Sequence, residues 1–150
     1  MDKDKYSSLK LENQICFPLY AASREVIRLY RPFLDELELT YTQYIAMMVF
    51  WENRTMNVKE LGQKLYLDSG TLTPVLKSLE SKGYVTRERS KEDERVLVVT
   101  LTEKGEALKD KALTVPESVG SCVHLEPNEA ATLYKLLYKL LQNLESEEEE

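Results

Sequence analysis

The chain has 150 residues, 43% of them hydrophobic and 31% charged, with five Gly and five Pro. This is the composition of a soluble, helix-rich globular domain with enough chain for a real core. The longest apolar run, residues 44–51, is far short of the roughly 20 residues that span a bilayer, so a membrane helix is excluded.

The net charge of −6 argues against nucleic acid only until it is located. Glu145 and Glu147 to Glu150 supply five negatives in the last six residues. Setting them aside leaves 20 basic against 21 acidic residues, a net of −1. Residues 145–150 read as an acidic, disordered tail. The opening Met-Asp-Lys-Asp-Lys-Tyr-Ser-Ser is too charged for a secretory signal, which points to a cytoplasmic protein. There, Cys16 and Cys122 read as thiols rather than a structural disulfide.

Residues 1–8 read as loose. Over 9–37 the pattern is helical, with Leu11, Ile15, Leu19, Ala22, Val26, Leu29 or Tyr30, Phe33 and Leu37 on one side. Pro18 means that the regular helix begins near Phe17 or bends there, and Pro32 ends or kinks it. Thr40 and Gln43 form a capping box for a helix from 41 to about 52, apolar all round and therefore buried. Asn57 opens a helix over 58–66, where Val58, Leu61 and Leu65 face the core and Gly62 leaves room for the next helix. Asp68 caps that next helix, at 69–82. Pro74 in its interior leaves an alternative start at Pro74 with Thr73 as cap.

Val75, Leu76 and Leu79 give this second helix its apolar stripe. Ser69, Thr71, Thr73, Lys77 and Ser78 lie on other faces, as short hydroxyls and a cation suited to base edges and phosphates. Residues 84–89 and 96–101 switch to period two around a polar turn, Ser90 to Arg95. The expected fold class is mainly α with a small β-hairpin wing (α+β): a winged helix-turn-helix over 40–101. Residues 77–95 hold six bases (Lys77, Lys82, Arg87, Arg89, Lys91, Arg95) and five acids. That slight excess suits a reader of shape and bases with a few placed cations, not a non-specific binder.

Thr102 caps a further helix, which Pro116 and Gly120 interrupt. Pro127 opens the last one, running to about 144. There Leu133, Leu136, Leu137, Leu140, Leu141 and Leu144 form an unbroken stripe flanked by Tyr134 and Tyr138. A small winged domain is unable to bury this stripe together with that of the first helix. Residues 9–37 and 103–144 are therefore expected to build a homodimer interface; the alternative is packing of the two within one chain.

Several separated motifs keep their order: residues 67–74 (Leu-Asp-Ser-Gly-Thr-Leu-Thr-Pro), Leu76-Lys77-Ser78-Leu79-Glu80, Asp93-Glu94-Arg95 and Leu101-Thr102-Glu103-Lys104-Gly105. They resemble the multiple-antibiotic-resistance regulator (MarR) family across residues 9–110. Asn13-Gln14-Ile15-Cys16-Phe17, Leu19-Tyr20-Ala21-Ala22-Ser23-Arg24 and Leu39-Thr40-Tyr41-Thr42-Gln43-Tyr44 resemble its organic-hydroperoxide-resistance branch. The resemblance implies a dimeric repressor on a pseudo-palindromic double-stranded operator, with one recognition helix per subunit in the major groove. It also implies a wing whose Arg95, oriented by Asp93, reaches the flanking minor groove; without it, that pair reads as an exposed turn ion pair.

By the same resemblance Cys16 is the redox sensor, a thiolate that attacks an organic hydroperoxide and becomes a sulfenic acid. Helix N-terminal dipoles or hydrogen-bond donors favour such a thiolate. Tyr30 and Tyr41 match the family's two tyrosines, which reach the cysteine from the dimer partner, and Tyr20 is a further candidate. Cys122 sits where two-cysteine members carry the thiol that resolves the sulfenic acid into an intersubunit disulfide; one-cysteine members await a small cellular thiol. Read without the resemblance, Cys16 is inert core and Cys122 a small hydrophobe. Cys122-Val123-His124 offers two ligands and no cluster, so no metal or other cofactor is expected. The competing functions are a regulator answering a non-covalent ligand, a broader redox or virulence regulator, and a thiol peroxidase. The last is disfavoured, and an enzyme with it, because no arginine stands beside Cys16 to stabilise a leaving oxygen.

Overall fold

The computed structural model describes residues 5–148. The chain divides into two compact units, with the boundary between Val119 and Gly120.

In the first unit two single turns of 3-10 helix, Ser7–Leu9 and Leu11–Asn13, precede α1 (Cys16–Asp35). Residues 5–8 are thus turned rather than loose; residues 1–4 lie outside the described part. Pro18 is the third residue of α1, where an N–H has no intrahelical partner to lose. Pro32 does not end α1, which runs on to Asp35. Because Pro32 falls in the last turn, only one backbone hydrogen bond is forfeited. α2 (Tyr41–Asn53) opens on the expected capping box: the Gln43 N–H donates to Thr40 Oγ1 and the Thr40 N–H to Gln43 Oε1. It is the central helix, burying Tyr44, Ala46, Met47, Val49 and Phe50, although Met48 stays exposed.

β1 (Thr55–Asn57) follows, then α3 (Val58–Leu65) and α4 (Ser69–Ser81). Asn57 and Asp68 accept from the Glu60 and Thr71 N–H groups, so both predicted caps form. α4 starts at Ser69, as the Asp68 cap predicts, and carries Pro74 inside instead of starting there. A Cβ on Gly62 would stand 2.7 Å from the Leu67 carbonyl oxygen, so the α3–α4 turn folds tightly only over a glycine. Leu72, Val75, Leu76 and Leu79 of α4 are buried. With Leu34, Met47, Phe50, Leu61, Val85 and Val99 they make one core.

β2 (Val85–Arg89) and β3 (Leu97–Leu101) pair antiparallel, from Val85 opposite Leu101 to Arg89 opposite Leu97. The sheet has three strands, ordered β1-β3-β2, where the sequence suggested a two-stranded hairpin. β1 is three residues long and shows no period of its own. It exists because β3 offers a free edge, and Thr55 and Thr100 seal the pair with a 2.7 Å hydroxyl contact.

Thr102 accepts from the Gly105 N–H and caps α5 (Glu103–Ala112). The break comes at Leu113-Thr114, before α6 (Val115–Val123). Pro116 and Gly120 therefore do not interrupt a helix: both lie inside α6, Pro116 in its first turn, where proline is tolerated.

The second unit holds the end of α6 and all of α7 (Pro127–Glu148). α7 continues through Glu148, so residues 145–148 extend the helix instead of starting an irregular tail. Glu149 and Glu150 lie outside the described residues. No residue of α7 is buried, and Leu133, Leu136, Leu140 and Leu144 are all exposed.

Candidate functional site

Two surfaces carry candidate chemistry, both in the first unit. On α4 the 3.6-residue period sends Leu72, Val75, Leu76 and Leu79 inward and leaves Ser69, Thr71, Thr73 and Lys77 on the exposed face, as predicted. Asp68 is held there by the Thr71 N–H at 2.7 Å, which keeps its carboxyl below the usual carboxylate range. The Thr73 hydroxyl donates to the Ser69 carbonyl at 2.7 Å, which leaves its oxygen free to accept.

At the wing tip, Asp93 receives the Arg95 backbone N–H at 3.0 Å, Nε at 3.1 Å and Nη2 at 3.3 Å. These bonds, the guanidinium's first, hold the Asp93 carboxyl below its ordinary range. The Arg95 side chain is 91% exposed, so the pairing aims the guanidinium without burying it. Arg87 differs from the DNA-facing cation anticipated for it. Its side chain is 19% exposed, its Nη2 donates to Glu80 Oε1 at 3.1 Å and its backbone N–H to Glu80 Oε2 at 3.0 Å. Arg87 thereby ties the wing to α4. The residue types were legible, but their pairing needed β2 folded back on α4.

Cys16 is the first residue of α1 and is exposed. Asn13 and Gln14 shape the approach to it: Asn13 Nδ2 donates to the Ser7 carbonyl at 2.7 Å and Gln14 Nε2 to the Lys10 carbonyl at 2.9 Å. The first turn of α1 holds no acidic residue, so its N–H groups present an uncompensated positive end to an anion. Tyr20 lies one turn on. Its hydroxyl accepts from Arg24 Nη1 at 3.2 Å, and the same guanidinium sits 5.5 Å from its ring.

Tyr30 and Tyr41 do come together, with ring centroids 5.0 Å apart. Tyr44, which the sequence reading missed, completes a trio at 5.8 Å from Tyr30 and 6.4 Å from Tyr41, and its ring leads on to Trp51 at 6.4 Å. Its one signal was the three-residue step from Tyr41, which puts both on one side of α2. Burial raises all three phenols above their ordinary range, with neighbouring tyrosines adding to the shift for Tyr41 and Tyr44. They therefore stay protonated as hydrogen-bond donors through neutral pH. The fold does not bring them to Cys16 within one chain: Cys16 and Tyr30 stand 14 residue steps apart along α1, about 21 Å.

Cys122, in α6, is exposed, its sulfur 3.9 Å from the Ser121 hydroxyl, and neither cysteine is in a disulfide. Among the described residues no cluster of His, Cys, Asp and Glu is fit to hold a metal ion. No helix of those residues is long and apolar enough to cross a membrane.

Residues 28–112 match the family described as transcriptional regulator SarA/Rot. The chain is 47% identical to the organic hydroperoxide resistance transcriptional regulator of Bacillus subtilis, over 95% of this chain and 97% of that protein. It belongs to the organic-hydroperoxide-resistance branch of the MarR/SarA regulators. Among solved MarR-type structures it resembles reduced AbfR of Staphylococcus epidermidis bound to DNA (TM-score 0.79, 35% identity, 95% of this chain and 97% of that one). A mutant form of Escherichia coli MarR, complexed with operator DNA, has the same TM-score of 0.79 at 27% identity, over 93% and 99% of the two chains. For a MarR-type regulator the exposed polar face of α4 and the projecting wing are the parts that differ in purpose from the buried core.

Proposed function

We propose that this protein is a homodimeric transcriptional repressor that leaves its operator when an organic hydroperoxide oxidises Cys16. The observation that carries this reading is the separation of Cys16 from the phenols. A sensor thiol needs donors, the protonated trio around Tyr30 and Tyr41 supplies them, and one chain holds the two about 21 Å apart. A second copy running antiparallel along α1 supplies the partner's Tyr30 and Tyr41 to Cys16. The exposed apolar residues Phe17, Leu19, Val26 and Ile27 on α1 and the leucine stripe on α7 favour such an interface, built by residues 9–37 and 103–144. Tyr20, one turn from Cys16 on its own helix, lines the same pocket.

The chemistry is a two-electron oxidation. The Cys16 thiolate attacks a peroxide oxygen, an S–O bond forms as the O–O bond breaks, and the alkoxide leaves as the alcohol after taking a proton. The resulting sulfenic acid condenses with the thiol of Cys122 from a second copy, losing water and forming a disulfide; a small cellular thiol is the other acceptor. Either product displaces packed side chains at the dimer interface and changes the spacing of the two reading heads. DNA contact is assigned to Ser69, Thr71, Thr73 and Lys77 on α4 and to Arg95 aimed by Asp93, with Arg87 bracing the wing. The protein acts in the cytoplasm and needs no cofactor.

The test is a gel shift on duplex DNA selected by the reduced protein from a random-sequence pool, with and without an alkyl hydroperoxide. Release is expected, with non-reducing electrophoresis of the same samples showing a cross-linked dimer if Cys122 resolves. Retention of DNA by protein whose Cys16 is fully oxidised sinks the proposal. Arg95→Ala is expected to weaken operator binding by about 10- to 100-fold, or about 1–3 kcal/mol, read by fluorescence anisotropy. An unchanged Kd would remove Arg95 from the interface.

A further inference from the structure

Among the described residues Gln43 is the one buried polar side chain, 8% exposed. Its amide is shared among three partners, one at the start of α2 and two at the end of α4. Oε1 accepts from the Thr40 N–H at 3.1 Å and from Lys82 Nζ at 3.2 Å, and Nε2 donates to the Ser78 hydroxyl at 2.9 Å. Lys82 Nζ also donates to the Glu38 carbonyl, in the turn between α1 and α2, where Glu38 holds a positive φ of 55°. A helix cap needs only the Thr40 bond. The other two bonds hook the last turn of α4 onto the first turn of α2.

That first turn of α2 also carries the phenols. Tyr41, Gln43 and Tyr44 fall within four consecutive residues. Tyr41 and Tyr44 meet Tyr30 on α1, whereas Gln43 faces Ser78 and Lys82 of the recognition helix. A backbone shift that carries the tyrosines must carry Gln43, because four residues of one helical turn move as a unit. A buried amide with three partners passes that shift on, since leaving any partner behind strands a desolvated polar group.

Resting on the peroxide-release function proposed above, we infer that Gln43 is the positioning residue that transmits displacement of the Tyr41–Tyr44 pair to the recognition helix through Ser78 and Lys82. The chain provides separate readouts on the two sides of it. Trp51, the single tryptophan, lies edge-on to Tyr44 and reports the aromatic side, whereas operator affinity reports α4.

The experiment follows Cys16 thiol loss, Trp51 emission and operator Kd on adding an alkyl hydroperoxide to wild type, Gln43→Met, Gln43→Glu and Ser78→Ala. In wild type all three are expected to change, with Kd rising about tenfold or more. Gln43→Met, which fills the space without hydrogen bonds, is expected to lose its thiol and shift its Trp51 emission as wild type does. Its Kd should then stay within about threefold of the reduced value, because the coupling between the sites is cut. Gln43→Glu keeps an acceptor for Thr40, Lys82 and the Ser78 hydroxyl, so it should restore the full change. Ser78→Ala removes one of the two bonds of the hook and leaves the one from Lys82, so its rise in Kd should fall clearly short of the wild-type rise, which keeps the test open if Gln43→Met folds poorly. A full wild-type rise in Kd in Ser78→Ala or Gln43→Met overturns the relay. Release by wild type without a Trp51 change overturns its aromatic entry. Wild type that keeps its operator with Cys16 oxidised overturns the release function itself, and the relay with it.

Discussion

Cys16→Ser protein is expected to stay on its operator at alkyl hydroperoxide doses that release the wild type completely. A serine hydroxyl keeps the size and the place at the start of α1, and Cys16 is exposed, so nothing in the core is disturbed. Reduced-state stability and operator affinity should therefore change by no more than about 0.5 kcal/mol. What is lost is the nucleophile, because a soft thiolate sulfur opens a peroxide bond and a serine hydroxyl does not. The comparison is made by titrating peroxide into each protein on labelled DNA. Release of Cys16→Ser at the wild-type dose would falsify the sensor assignment and favour a regulator answering a non-covalent ligand. Steady consumption of peroxide by wild type with an added thiol would instead mark a thiol peroxidase.

Gly105→Ala is expected to be the most damaging single-methyl change in the first unit. A Cβ there would stand 2.2 Å from the Tyr84 carbonyl oxygen and 2.7 Å from Leu101 Cδ1. The carbonyl has nowhere to go. It accepts the Thr102 N–H at 3.1 Å, and the Thr102 hydroxyl in turn donates to the Gly83 carbonyl and accepts from the Gly105 N–H. On its other side the Gly105 carbonyl takes the Trp51 indole N–H at 2.9 Å. The start of the wing, the start of α5 and the middle of the core are thus joined at one point. The substitution should cost about 2–3 kcal/mol and lower Tm by roughly 5–10 °C. Gly120→Ala is the control: nothing lies within 4 Å of its Cβ, and α6 should gain up to about 1 kcal/mol. Thermal melts of the two variants decide it, and a Gly105→Ala protein melting with wild type would show that the crowding is relieved by a small shift. Because the wing hangs from this joint, operator affinity should fall with stability in Gly105→Ala.

The two changes separate chemistry from architecture. Cys16 contributes nothing to the core and everything to the proposed response, whereas Gly105 is the reverse. Arg95 and Gln43 lie between, since each acts by where it holds another group.

What the amino-acid order determined by itself is whatever four or five neighbouring residues decide among themselves. The caps at Thr40, Asn57, Asp68 and Thr102 all form, because a side-chain oxygen reaches an N–H three residues on without help from the rest of the chain. The apolar face of α4 and the period-two strands were legible for the same reason. The features that went unread depend on partners far along the chain. β1 needs the edge of β3, some 40 residues later, and Arg87 turns to Glu80 only once β2 folds back on α4. The helix over 69–82 was legible despite Pro74; it holds because Leu72, Val75, Leu76 and Leu79 are buried together, and their packing outweighs one missing hydrogen bond. Tyr44 joins Tyr30 only across the α1–α2 turn, and Gln43 meets Ser78 from 35 residues away. Local geometry chose the elements, and the burial of groups distant in the chain chose which of their side chains face one another.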